Sequence, residues 1–169
     1  MIRDPGEVAR RAKDLQEENW RFRTYLKMLR HRGRVNSLAR RFGEEAAAGM
    51  DCTACAACCR DSSIPLSVEE IERLAAAVGM EPQAFARRYL TPSEHDGRPA
   101  IDAVPCPFLE GNLCTVYEAR PDACRGYPHI GGDVASRTLA ILERAETCPI
   151  VFDMLERLKD ALGFRRLSR

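Results

Sequence analysis

Residues 50–60, MDCTACAACCR, set four cysteines, Cys52, Cys55, Cys58 and Cys59, within eight positions. Thiols two residues apart enclose loops that suit an ion better than a web of long-range bridges. Four more follow: Cys106 in PCPF, Cys114 in NLCTVY, Cys124 in DACRGYP and Cys148 in TCPI. Their separations are too wide for a local knuckle, so only the fold can bring them together. Whatever architecture the chain takes, its central part has to be arranged around sulfur.

What those thiols do depends on the compartment. The start, MIRDPGEVARRAKD, is charged by its third residue and has no apolar h-region, so no secretory signal is expected. No apolar run reaches the length that crosses a bilayer, and no membrane partner is expected. The expected location is the cytoplasm, where thiols stay reduced and eight cysteines point to metal ligation. In an oxidising compartment the even count would instead allow four disulfides. A thiol protease would need a paired His and Asp that do not accompany these cysteines.

A chain of 169 residues can bury a real core without disulfides, and 45% hydrophobic with 30% charged residues is an ordinary globular balance. The net charge of +1 hides an asymmetry. Residues 1–43 carry 12 Lys+Arg against 5 Asp+Glu, a net +7, and the remainder carries 14 against 20, a net −6. A basic arm of this kind touches an anionic partner such as RNA, or docks on its own acidic body.

After Pro5, the apolar residues Val8, Leu15, Phe22, Leu26 and Leu29 recur at helical spacing and predict one long amphipathic helix, ended by Gly33. VNSLARRFGEEAAAGM predicts a second, shorter helix, and the two are expected to pack as a hairpin. SVEEIERLAAAVGM is a helix with the capping box Ser67–Glu70 and a stop at Gly79. EPQAFARRYL starts another at Pro82, and TPSEHDGRP is turn chemistry. AIDAVPCPFLEGNLCTVYEARP predicts a short β-hairpin about the EGN turn, its first strand cut short by Pro105 and Pro107. GGDVASRTLAILERAE and PIVFDMLERLKDALGF close the chain as helices, the last starting at Pro149. The expected fold is mainly α with a small β-hairpin, a Cys-rich metal-binding core preceded by an N-terminal helical hairpin. The expected division is a basic helical arm over 1–49, a cysteine-cluster metal-binding domain over 50–150 and a C-terminal helix over 151–169 that packs on it.

Cys52-x2-Cys55-x2-Cys58 is the spacing that wraps three thiolates around a cluster corner, as in bacterial-type ferredoxin loops. There a fourth cysteine follows after three residues and precedes a proline. Here Cys59 comes at once, so the motif is not a ferredoxin's. Neighbouring side chains diverge, which sends Cys58 and Cys59 to two sites or to opposite sides of one polynuclear site. Cys106 and Cys114 are expected to face each other across the hairpin. Cys148 falls at a helix N-terminus, where N–H groups and the dipole favour a thiolate. Eight thiolates fill two four-coordinate centres: two zinc ions, two 4Fe–4S clusters, or one of each. Burial as small hydrophobes is the bland alternative, weightier for Cys106, Cys114, Cys124 and Cys148 than for the first four.

CTACAACCR, CPFLEGNLCTVYEARPDACRGYP and the later CP, with IPLSVEEIERLAAAVG between them, resemble the CxxCxxCC (YkgJ-type) cysteine-cluster family. That family is described as a zinc- or iron-chelating domain and includes relatives of flagellin lysine N-methylase. The resemblance spans Cys52 to Cys148 and implies that all eight cysteines, Cys52, Cys55, Cys58, Cys59, Cys106, Cys114, Cys124 and Cys148, are metal ligands. It also makes an iron–sulfur cluster a live alternative to zinc.

Around the thiols, Arg120 and Arg125 either neutralise a negatively charged sulfur site or bind an anionic substrate. Glu118 lies beside them, and Tyr117 and Tyr127 are expected to pack nearby. His129 is a spare ligand or an outer hydrogen-bond donor. His31 and His95 are expected to be solvated, and Trp20 to pack. No phosphate loop, dinucleotide fingerprint or βαβ alternation is present in the sequence.

The expected function is therefore metal-cluster binding through eight cysteines, with iron (as Fe–S) or zinc, in support of redox or protein-methylation chemistry. The sequence assigns no catalytic residue. The alternative is a zinc-stabilised binding module whose basic N-terminal helices engage RNA or an acidic protein.

Overall fold

A computed structural model describes residues 1–61, 63–94 and 96–165. His95 and residues 166–169 of the expected C-terminal segment lie outside the described residues. In chain order the helices are α1 (Pro5–Asp14), α2 (Gln16–Met28), α3 (Arg32–Ala48), α4 (Cys52–Cys55), α5 (Val68–Ala77), α6 (Pro82–Tyr89), α7 (Asp122–Arg125), α8 (Thr138–Thr147) and α9 (Pro149–Ala161). The strands are β1 (Ile64–Pro65), β2 (Thr91–Pro92), β3 (Pro99–Ile101), β4 (Leu109–Glu110) and β5 (Leu113–Cys114). Single 3₁₀ turns cover Cys58–Arg60 and Tyr117–Ala119. Helix makes up 58% of the structure, so it is mainly α with a small β-hairpin, as the sequence predicts. Among the described residues no helix is long and apolar enough to cross a membrane.

Two compact units are present, one of Met1–Cys52 with Pro128–Arg169 and one of Thr53–Tyr127. In the first, α1 starts at Pro5 behind an N-cap, Asp4, whose carboxylate accepts the Glu7 N–H at 2.7 Å. The expected single helix is broken at Leu15 (φ −97, ψ 7) into α1 and α2. Val8, Leu15, Phe22 and Leu29 recur every seven residues, and such a stripe drifts about 20° per heptad around a straight helix.

Gly33 does not end α2. The chain leaves the helix at Leu29, which is extended (φ −70, ψ 132), and Gly33 sits in the first turn of α3. There the backbone N–H groups have no intrahelical partner in any case, so a poor helix former is tolerated. The most extensive packing is of α3 on α9 and of α1 on α8. Phe22, Leu26, Val35, Met154, Leu155 and Leu158 of this unit are buried, and Lys159 is fully buried between Glu18 (2.8 Å) and Glu156 (2.6 Å).

The second unit is built on a core of Leu66, Leu74, Ala75, Phe85, Ile101, Phe108 and Val116. Leu74 and Ala75 are the buried face of α5, which starts at the capping box of Ser67 and Glu70. Gly79 follows α5 with φ +67, the left-handed stop that glycine adopts without strain. Phe85, Tyr89 and Phe108 stack as an aromatic trio with centroids 5.0–5.9 Å apart. β3 pairs antiparallel with β1 (Ile64 opposite Ile101) and with β2 (Thr91 opposite Ala100). This three-stranded sheet has no counterpart in the sequence reading, because strands of two and three residues are too short to show a period of two. The expected hairpin forms as β4 and β5, turned by Gly111 (φ +59) and Asn112.

Candidate metal centre

Three stretches of the second unit carry thiols: 55–59, 106–114 and Cys124. In the first, α4 ends at Cys55 and Ala56 takes a left-handed backbone, φ +48. For a residue with a Cβ this costs about 1 kcal/mol, and here it reverses the chain into the turn Cys58–Arg60. Arg60 holds the reversal. Its Nη1 donates to the carbonyls of Cys55 and Ala56 at 3.3 and 3.2 Å, and its Nη2 to Gly111 O and Asn112 Oδ1, both at 2.7 Å. Asn112 Nδ2 in turn donates to Ala54 O at 2.9 Å. The planar fork of one guanidinium thus joins the cysteine knuckle to the β4–β5 turn, which a lysine ammonium has no means of reproducing.

The second stretch is tied to the first by the Cys106 N–H, which donates to Cys59 O at 2.8 Å. Cys106 and Cys114 are not cross-strand partners as expected. Cys114 pairs with Leu109, and Cys106 precedes β4, its carbonyl accepting from Leu109 N at 3.0 Å. Pro105 and Pro107 flank Cys106 and supply no N–H to extend a ladder. Both thiols are half-buried against the aromatic core.

Cys124 lies in α7, a single turn. The backbone before it is gripped from α5. Arg73 Nε donates to Ala119 O and its Nη2 to Arg120 O, each at 3.2 Å, while Glu70 Oε1 accepts the Asp122 N–H at 2.8 Å. Arg125 donates through Nε to Arg120 O at 3.0 Å and through Nη2 to Glu118 O. The Arg120 guanidinium lies 3.7 Å from the Tyr117 ring centroid, a cation–π stack.

Charge couples these thiols. Cys59 is lowered to about 6, first by the hydrogen bond from Cys58 and then, against burial, by the cations of Arg60 and Arg120. Cys58 and Cys59 are the first two residues of the 3₁₀ turn Cys58–Arg60, where consecutive side chains are about 120° apart around the axis. Cys124 is pushed up to about 12 by burial and then by Cys59, Cys106 and Cys114, with Arg120 pulling the other way. Cys106 is raised chiefly by burial, with Cys59 and Cys114 adding to it and the Phe108 N–H opposing. The cluster stabilises one thiolate and penalises the next.

A thiophilic cation reverses that balance, and several sulfur donors are the donor set that zinc and iron centres use. The residues fit such a group. Among the described residues no three His, Cys, Asp or Glu side chains are already set out to hold an ion. The thiols are neighbours rather than a formed coordination sphere.

The remaining candidates are distributed as follows. Cys52, exposed, and Cys148, buried as the N-cap of α9, belong to the first unit. His129 is also there, half-buried with φ +56. Trp20, expected to pack, is 46% exposed and carries Arg23 over its ring at 5.3 Å. His31 is exposed, as expected. Arg60, Asn112, Glu70 and Arg73 were not singled out by the sequence as site residues. Arg60 directly follows the cysteine pair and Asn112 lies in the EGN turn, which are faint signals. Nothing local marks Arg73.

Metal binding here releases protons, and its pH dependence has a definite sign. Near neutrality Cys59 is already ionised, whereas Cys106 and Cys124 hold theirs. A metal held by Cys106 and Cys124 would displace both, and apparent affinity would then rise with pH by about a hundredfold per unit for those two protons. Competition titrations of zinc at several pH values near 7 measure the slope. Release of one proton or fewer would exclude Cys106 and Cys124 together as ligands.

A family model described as "CxxCxxCC: Putative zinc- or iron-chelating domain" matches residues 51–149. No curated protein and no solved structure matches the chain. The matched span covers more than half of the sequence and takes in all eight cysteines, and the chain therefore belongs to the CxxCxxCC family of zinc- or iron-chelating domains.

Proposed function

We propose that the protein holds a metal centre on the thiols of its second unit, iron as an iron–sulfur cluster in preference to zinc, within the reducing cytoplasm. The observation that carries this reading is the convergence of thiols from distant points of the sequence: the Cys106 N–H donates to Cys59 O at 2.8 Å, Cys106 and Cys114 pack on the same core, and charge couples Cys124 to all three. The resemblance to the CxxCxxCC family implies that Cys52, Cys55, Cys58 and Cys148 are ligands too, Cys52 and Cys148 belonging to the first unit. The triple spacing of Cys52, Cys55 and Cys58 favours iron. So does the likeness of the cysteine segments to the YkgJ-type relatives of flagellin lysine N-methylase, which also brings a role in protein methylation into the reading.

An iron–sulfur group supplies one-electron transfer, whereas zinc with every position taken by sulfur leaves none for substrate and serves the scaffold. The chain's own part is to orient the sulfurs through Arg60, Asn112 and the α5 grip, and to neutralise them through Arg60 and Arg120. Protein purified without air tests this. Brown material absorbing broadly near roughly 400 nm, with a matching Mössbauer spectrum, supports iron. Colourless protein with stoichiometric zinc replaces iron by zinc, and folded metal-free protein ends the reading. A melting temperature unmoved by S-adenosylmethionine counts against methylation.

A second reading, the zinc-stabilised binding module, is favoured by the large apolar side chains that α2 exposes, Trp20 at 46% and Met28 at 77%, on a helix that also carries Arg21, Arg23 and Lys27. Because α1 and α3 pack on α8 and α9, its test is charge reversal at Arg21 and Lys27 rather than truncation. Loss of salt-dependent RNA or acidic-protein binding would support it.

A further inference from the structure

We propose that Glu70 and Arg73, one turn apart on α5, are positioning residues that aim Cys124 at the metal; this rests on the metal-binding reading above. α7 spans four residues, Asp122–Arg125, and a single turn has too few hydrogen bonds to hold itself in place. The side chain of Asp122 is 81% exposed, so apolar packing does not fix its start. Its orientation has to come from outside, and α5 supplies it.

The two carboxylate oxygens of Glu70 serve different partners. Oε2 accepts the Ser67 N–H at 2.7 Å and closes the capping box of α5. Oε1 accepts the N–H of Asp122 at 2.8 Å, the first residue of α7 and two before Cys124. That N–H is one of the donors a helix start leaves without an intrahelical acceptor.

Arg73 takes the preceding residues: Ala119 O and Arg120 O at 3.2 Å each, and Asp122 Oδ1 at 3.4 Å. The capping box alone requires neither the second oxygen of Glu70 nor Arg73. α5 itself is anchored through Leu74 and Ala75 in the same core as Phe85, Ile101, Phe108 and Val116. The geometry therefore runs from the packed core through α5 to the backbone that carries one thiol. Groups that orient a metal ligand in this way commonly hold about 10–100-fold of the affinity.

The test compares Glu70→Gln, Arg73→Lys and Ser67→Ala with the wild type in the full chain. Glutamine has one acceptor oxygen where the site uses two, and lysine cannot span three acceptors. Ser67→Ala breaks the same capping box but leaves the bond from Asp122 to Glu70. Affinity for Co(II) is read by chelator competition, ligand geometry by the sulfur-to-cobalt charge-transfer band, and apo-protein stability by thermal melting.

Glu70→Gln and Arg73→Lys are expected to bind Co(II) about 10–100-fold more weakly with an altered band. Ser67→Ala is expected to keep its affinity and band although its apo form melts lower. Equal losses in Ser67→Ala and Glu70→Gln would reduce the pair to helix capping and overturn the proposal, as would unchanged affinity in both Glu70→Gln and Arg73→Lys. Wild-type protein that takes up neither Co(II) nor zinc overturns the metal reading and this inference with it, an outcome the first titration separates from the others.

Discussion

Cys124→Ser is expected to lower zinc affinity by at least about a hundredfold, and stripping the metal is expected to loosen the unit Thr53–Tyr127. Structural zinc in small sites contributes about 10–16 kcal/mol at neutral pH, roughly 3 kcal/mol for each of four thiolates, which corresponds to at least about a hundredfold per ligand. A serine hydroxyl is harder than a thiolate and does not ionise in this range, so it recovers little of that. With free metal at about a thousand times its Kd, binding adds about 4 kcal/mol to folding. Chelation removes this from a unit whose apolar core is small and whose strands are two or three residues long. Competition titration measures the first effect, and thermal melting with and without chelator the second. Wild-type affinity in Cys124→Ser would remove Cys124 from the ligand set. An unchanged melt on chelation would sever metal from folding. Cys148→Ser in the same titration decides whether the buried N-cap of α9 belongs to the set.

Lys159→Met carries the second large effect, a loss of about 3–5 kcal/mol, typical of breaking a buried ion pair from one side. The ammonium is fully buried and donates to Glu18 at 2.8 Å and to Glu156 at 2.6 Å. Glu18 is itself 5% exposed, so methionine takes the cation away from a carboxylate that water cannot reach. Replacing both partners with neutral residues of similar volume is far less costly than removing one. The double variant Lys159→Met with Glu18→Gln should therefore recover much of the stability. Urea unfolding of the wild type, the single variant and the double variant gives the three values. A single-variant loss under about 1 kcal/mol would mean that the pair is effectively solvated.

Signals that act within one helical turn were legible in the sequence. The capping box of Ser67 and Glu70, the helix starts at Pro5, Pro82 and Pro149, the stop at Gly79 and the turn at Gly111 are each settled by the conformational limits of a few neighbouring residues. The cysteine spacing belongs to the same class, since Cys52, Cys55, Cys58 and Cys59 share one short loop by covalent necessity. The break at Leu15 and the passage of α3 through Gly33 were not legible. Both depend on where an apolar stripe must point to meet helices more than a hundred residues away.

By itself the sequence determined that this chain is mainly helical and that its chemistry is that of sulfur. The tertiary structure alone decided that Cys106 comes against Cys59, and that Arg60, Glu70 and Arg73 hold the backbone around the thiols. The physical reason is distance along the chain: caps, turns and knuckles close over three or four residues. The approach of Cys59 to Cys106 and of Glu70 to Asp122 spans about fifty residues, and a loop of that length closes only when a shared core offsets its entropy.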